Sequence, residues 1–139
     1  MQEINQKTLK DTITLQGVGL HNGKKVNLYL KPAEVDYGIK FKRLDLDENN
    51  IVEANYKNVR SPVLCTRLEN SEGTSISTIE HLMASFYGEG IDNALVEVDA
   101  SEIPIMDGSA FDFVEAIREV GIKNQKSPRK FIKIKKKLK

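Results

Sequence analysis

Between Lys24 and Leu30 the chain alternates cleanly, with Val26, Leu28 and Leu30 apolar against Asn27, Tyr29 and Lys31. This is the period of a half-buried strand. Thr8–Leu15 reads as the strand before it. The connection, Gly17-Val18-Gly19-Leu20-His21-Asn22-Gly23, ends in Asn-Gly, the pair favoured in tight hairpin turns with positive φ. Ile39–Lys42, Ile51–Ala54 and Val63–Leu68 are further short strand candidates, separated by segments rich in Pro, Gly, Asn and Asp. Ala94–Val98 is dense enough in apolar residues for a central strand.

Two segments carry the helical period instead. Ser77-Thr78-Ile79-Glu80 has the spacing of a capping box, and Ile79, Leu82, Met83 and Phe86 follow at i, i+3, i+4 and i+7. Gly88 and Gly90 are expected to stop that helix. Ser109-Ala110-Phe111-Asp112 opens the second, with Ala110, Phe113, Val114 and Ile117 on one face and Gly121 at its end. Several strands with two one-sided helices predict an α+β fold: a two-layer sandwich of a small mixed or antiparallel sheet with both helices on one face. Residues 1–122 are expected to form that domain. Residues 123–128 read as a polar linker, and 129–139 resume an alternating pattern around Ile132 and Ile134, as the first strand of an absent second domain.

Composition narrows the class. The chain has 139 residues, 40% hydrophobic and 29% charged, ordinary for one globular domain. No apolar run approaches the roughly 20 residues of a membrane helix, and the N-terminus lacks the basic start and apolar core of a signal peptide. Cys65 is the single cysteine, which excludes an internal disulfide and fits a reducing, cytoplasmic setting. Residues 126–139 hold eight Lys/Arg and no acid; removing these from 21 basic residues leaves 13 against 20 acidic ones. The body is therefore acidic and the tail basic. A nucleic-acid or anionic-membrane arm is one reading of such a tail, but its alternating Ile/Lys pattern favours a strand, and no nucleic-acid partner is expected.

Candidate chemistry is sparse. Gly17-Val18-Gly19 fails both phosphate-binding patterns, because the third glycine of a dinucleotide fingerprint falls at Asn22 and a strand follows where a helix is needed. Glu80-His81 is the most suggestive pair. On residue physics alone, Glu80 has a complete structural task in the capping box, and His81 is a first-turn histidine among small residues. Position 85, where a two-histidine helical zinc motif needs its second ligand, is Ser85. Cys65 reads as a mid-strand thiol, His21 as an exposed turn histidine and Asp107 as a cap for the second helix.

Taken in order, Gly17-Val-Gly-Leu-His21, Leu64-Cys65-Thr66, Ser77-Thr-Ile-Glu80-His81-Leu82, Gly90-Ile-Asp-Asn93 and Glu102-Ile-Pro-Ile-Met-Asp107-Gly-Ser109 closely resemble the UDP-3-O-acyl-N-acetylglucosamine deacetylases of Gram-negative bacteria. The resemblance runs through residues 7–121, and residues 130–135 resemble the first strand of that family's second domain. It implies two similar α+β domains with the active site between them. It further implies a cytoplasmic hydrolase of lipid A biosynthesis that frees amine and acetate from UDP-3-O-acyl-N-acetylglucosamine. In this chemistry His81 is a zinc ligand and Glu80 the general base that activates a zinc-bound water. His21, Leu64, Cys65 and Asp107 match positions near the substrate cleft. The family's remaining Zn2+ ligands form a His-x-x-x-Asp motif in the second domain, with a further histidine there as general acid. His21 and His81 are the only histidines here, and Lys25 and Ser85 follow them four residues on. The expectation is thus an incomplete site: a hydrolase half that needs the missing C-terminal domain, with transient contact at the inner-membrane surface open to it. The alternative is a non-catalytic module that pairs with a separate second-domain chain or binds nucleotide-sugar.

Overall fold

The computed structural model describes residues 4–21, 23–60 and 65–137. The alternating segment forms β3 (Lys25–Pro32), and Val26, Leu28 and Leu30 are fully buried, as their period requires. Burying each of these side chains contributes about 1.5–3 kcal/mol. β2 (Ile13–Val18) pairs antiparallel with β3, with Val18 opposite Lys25. The hairpin is closed by a wider loop than a two-residue Asn-Gly turn: Gly19 N–H donates to the Lys24 carbonyl (2.9 Å) and Gly23 N–H to that of Gly19 (3.0 Å). Gly23 takes the positive φ (67°); Asn22 lies outside the described residues.

β4 (Ile39–Arg43), β5 (Ile51–Glu53) and β9 (Ala94–Val98) complete a five-stranded sheet in the order β2-β3-β9-β4-β5. β9 is central, and its pairing with β4 is parallel while the other ladders are antiparallel. One face packs on α1 (Glu80–Glu89) and α2 (Phe111–Val120). Leu82 and Phe86 of α1 and Phe113 and Ile117 of α2 join Phe41, Val52, Val96 and Val98 in a single core. The other face is polar; Glu97, 9% exposed, is ion-paired with Lys31. β6 (Val59–Arg60), β7 (Arg67–Glu69) and β8 (Ser75–Ser77) make a small antiparallel sheet whose Leu68 and Ile76 reach the same core. The mixed two-layer α+β architecture is the one expected from the pattern.

Local expectations fail at several further points. The segment 8–15 is two strands, because β1 (Asn5–Leu9) belongs to a ribbon with β10 (Ile122–Pro128) while β2 belongs to the main sheet. At the break, the Asp11 carboxylate accepts the Thr12 N–H (2.7 Å), a local bond. Residues 123–128, read as a linker, are thus a strand: their polar side chains suit an exposed ribbon and their backbone pairs with β1. Cys65 is not mid-strand, since it bends ahead of β7; Val63 and Leu64 lie outside the described residues. Gly88 sits inside α1, and Gly90 alone ends it, in the left-handed region with φ 75°. Finally, the alternating stretch after Arg129 forms no strand among the described residues 129–137, and Ile132 is 98% exposed.

Candidate functional site

The capping box does not form, and its failure builds the site. Ser77 is taken into β8: its N–H donates to the Ser101 carbonyl (2.9 Å) and its carbonyl accepts from Ile103 N–H (3.0 Å). α1 therefore starts at Glu80, with Ile79 at the N-cap position and no side-chain cap. The Glu80 carboxylate, free of the capping role, accepts instead from the Thr66 N–H (3.3 Å), while Thr78 N–H donates to the Thr66 carbonyl (2.9 Å). Thr66 thus bridges Thr78 and Glu80 across the start of the helix. The first-turn carboxylate also meets the positive end of the α1 dipole, an interaction of about 0.3–1 kcal/mol.

Thr78 makes the turn from β8 into α1 with φ 61°, a left-handed conformation that β-branched residues rarely adopt. It is 2% exposed, and its hydroxyl has no hydrogen-bond partner among the described residues. Strain of this kind costs on the order of 1–3 kcal/mol and persists where flanking bonds over-determine the backbone. Here those bonds are the ones on Ser77, Thr78 and Glu80.

The segment 101–109 closes over this helix start. Ile105 N–H donates to the Val18 carbonyl (3.0 Å), so the segment leans on the β2–β3 hairpin. Glu102, 3% exposed, accepts the His21 N–H (3.1 and 3.3 Å to its two oxygens). His21 is exposed at the loop, held by its backbone. Asp107 does not cap α2: its Oδ1 accepts from the Ser109 N–H (2.9 Å) and hydroxyl (2.7 Å), and Ser109 Oγ in turn accepts from Phe111 N–H (3.2 Å). The Ser109 hydroxyl, and then its amide, hold the Asp107 carboxyl below the usual carboxylate range against a smaller opposing desolvation. His81 pulls weakly in the same direction.

Glu80 and His81 therefore stand together at the start of α1, with Cys65 one residue from the amide that Glu80 engages, and Asp107 lies on the 101–109 segment. His21 stands on the hairpin flank, and Leu64 lies outside the described residues. The sequence pattern included Thr66 and Glu102 among the resembling segments but gave neither a role. Thr66 carried no signal, because its backbone does the work. Glu102 carried a faint one, an acid set against the apolar run Ile103-Pro104-Ile105-Met106. Among the described residues no three His, Cys, Asp or Glu side chains gather into one group. The half-buried His81 imidazole, next to Glu80 on the same helical turn, offers one of the three protein ligands that a catalytic zinc site takes beside its open position.

Residues 6–139 match the sequence profile of the UDP-3-O-acyl N-acetylglycosamine deacetylases. The chain belongs to this family. It is 52% identical over 135 residues to the UDP-3-O-acyl-N-acetylglucosamine deacetylase of Actinobacillus succinogenes, covering 97% of this chain and 44% of that protein. The deacetylases of Vibrio campbellii and Shewanella woodyi are each 51% identical, over 96% and 95% of this chain and 44% and 43% of theirs. The chain thus spans less than half the length of the curated relatives it matches. Among the described residues no helix is long and apolar enough to cross a membrane.

Proposed function

We propose that this chain is the part of a zinc-dependent UDP-3-O-acyl-N-acetylglucosamine deacetylase that supplies the general base, Glu80, and one metal ligand, His81. The observation that carries the reading is the release of Glu80 from its capping role to lie on the Thr66 amide, one residue from a half-buried histidine. The Thr66 N–H engages Oε2. Oε1 is thereby left to take the proton of the attacking water. Zinc, when bound, supplies a Lewis acid that polarises the acetamide carbonyl. The remaining metal ligands and the proton donor for the departing amine come from the other half of the family's length. The products are the free amine and acetate, in the cytoplasm, as the committed step of lipid A biosynthesis.

The test uses this chain joined to the remaining length of the Actinobacillus succinogenes relative. Gln keeps the acceptor for Thr66 N–H, so Glu80→Gln should leave the melting temperature in place while turnover falls by about 10² or more. Turnover equal to the parent would return Glu80 to a structural role and remove the reading.

A further inference from the structure

The Gly90-Ile-Asp-Asn93 motif has no part in the chemistry above, yet it is among the most heavily bonded segments of the molecule. Gly90 ends α1, and its carbonyl accepts from Arg129 Nη2 (2.9 Å). Asp92 Oδ2 accepts from the same Nη2 (3.0 Å) and from Lys7 N–H (2.8 Å). Arg129 Nε lies 2.9 Å from Asp92 Oδ1, an ion-pair contact whose angle is out of line for a hydrogen bond. The Arg129 backbone is fixed as well, its N–H donating to the Ile4 carbonyl (2.7 Å). The two side chains are only 24% and 23% exposed, so solvent screens the pair less than it would at the surface. A planar guanidinium can hold a carboxylate and a carbonyl together, which the single ammonium of lysine cannot do with fixed geometry.

Arg129 also stands at a structural boundary. β10 ends at Pro128, and residues 130–137 carry no regular structure. The clasp therefore ties the point where the chain leaves the ribbon to the C-terminal end of α1, whose other end bears Glu80 and His81. We propose that Arg129, gripped by Asp92 and the Gly90 carbonyl, is a positioning residue that sets the direction in which the chain leaves this domain relative to α1. Through that direction it sets how Glu80 and His81 meet the metal ligands supplied by the rest of the enzyme. The inference rests on the incomplete-site reading above. The ten-residue helix is about 15 Å long, so a rotation of about 4° at the clasp moves its far end by roughly 1 Å. A misplacement of that size can cost about 10² in rate.

The test has two arms. In the 139-residue chain, Arg129→Met should leave the melting transition cooperative while the heteronuclear NOE of the Lys130 and Phe131 amides drops toward that of a free tail. In the fusion described above, the same variant should weaken zinc affinity and lower kcat by about tenfold or more, with KM within about twofold. Arg129→Lys, which keeps the charge and loses the fork, should behave like Arg129→Met. An unchanged NOE in the chain overturns the clasp, and so does full recovery by lysine. A lost NOE with parental zinc affinity and kcat overturns the link to the site. Failure of the underlying reading shows separately, as a Glu80→Gln fusion with parental turnover.

Discussion

Replacing Gly17 by alanine adds one carbon at the place where the β2–β3 hairpin meets the segment carrying Glu102 and Asp107. A Cβ there would lie 2.7 Å from Pro104 Cβ and 2.9 Å from Met106 Sδ. The methionine sulfur can swing aside, but Pro104 Cβ is part of a ring fixed to the backbone. Restoring an ordinary contact of 3.4 Å requires the two segments to part by about 0.7 Å. That movement opposes the Ile105 N–H bond to the Val18 carbonyl, now 3.0 Å. Overpacking of this kind typically costs about 1–3 kcal/mol. Gly88 is the control: it lies inside α1 with nothing within 4 Å of an added Cβ. There the same substitution should stabilise by about 0.5–1 kcal/mol through helix propensity. Urea unfolding of both variants of the 139-residue chain reads the difference directly. With a slope of about 1–3 kcal/mol/M, Gly17→Ala should lower the midpoint by roughly 1 M, and Gly88→Ala should raise it. If Gly17→Ala unfolds within about 0.3 M of the parent, the hairpin does not bear on the 104–106 segment as described.

Asn93, 2% exposed, accepts from Gly38 N–H (2.9 Å) and donates to Gln6 (2.9 Å) and Gln125 (2.8 Å), joining the β1–β10 ribbon to the main sheet. Asn93→Ala strips the half-buried Gly38 N–H of its acceptor and the ribbon of two side-chain bonds, and should destabilise by about 1–3 kcal/mol in chemical denaturation; a loss under about 0.5 kcal/mol would remove the ribbon's dependence on it. For Asp36, the Gln6 side-chain amide and then Lys130 hold the carboxyl below its usual value, with desolvation opposing. A depressed folded pKa means that its contribution to stability is present above the unfolded value of about 3.9 and is lost as pH falls through the folded one. Carboxyl NMR should therefore place the Asp36 midpoint under that value, with Gln6→Ala moving it upward; a midpoint at or above the reference refutes the assignment.

The alternation that marks β3, the apolar density of β9 and the helical spacing of α1 and α2 were legible because each depends on which side of one element is buried. Periodicity along the chain carries that information. Glu80 and His81 stood out as a pair, but their residue types alone left them structural, and only the family resemblance suggested chemistry. Tertiary structure decided the rest wherever a backbone group had a partner far along the chain. Ser77 could not cap α1 because residues 101–103 claim its N–H and carbonyl. The segment 8–15 could not stay one strand because Thr8 pairs with Lys123 while Ile13 pairs with Leu30. The polar stretch 123–128 became a strand, since a ladder needs backbone donors and acceptors and no apolar side chain. The segment that carries Asp107 has its place because it docks on the hairpin through Val18 and His21. Local pattern specifies an element's type and buried face; the destination of each remaining N–H and carbonyl is a property of the whole chain once folded.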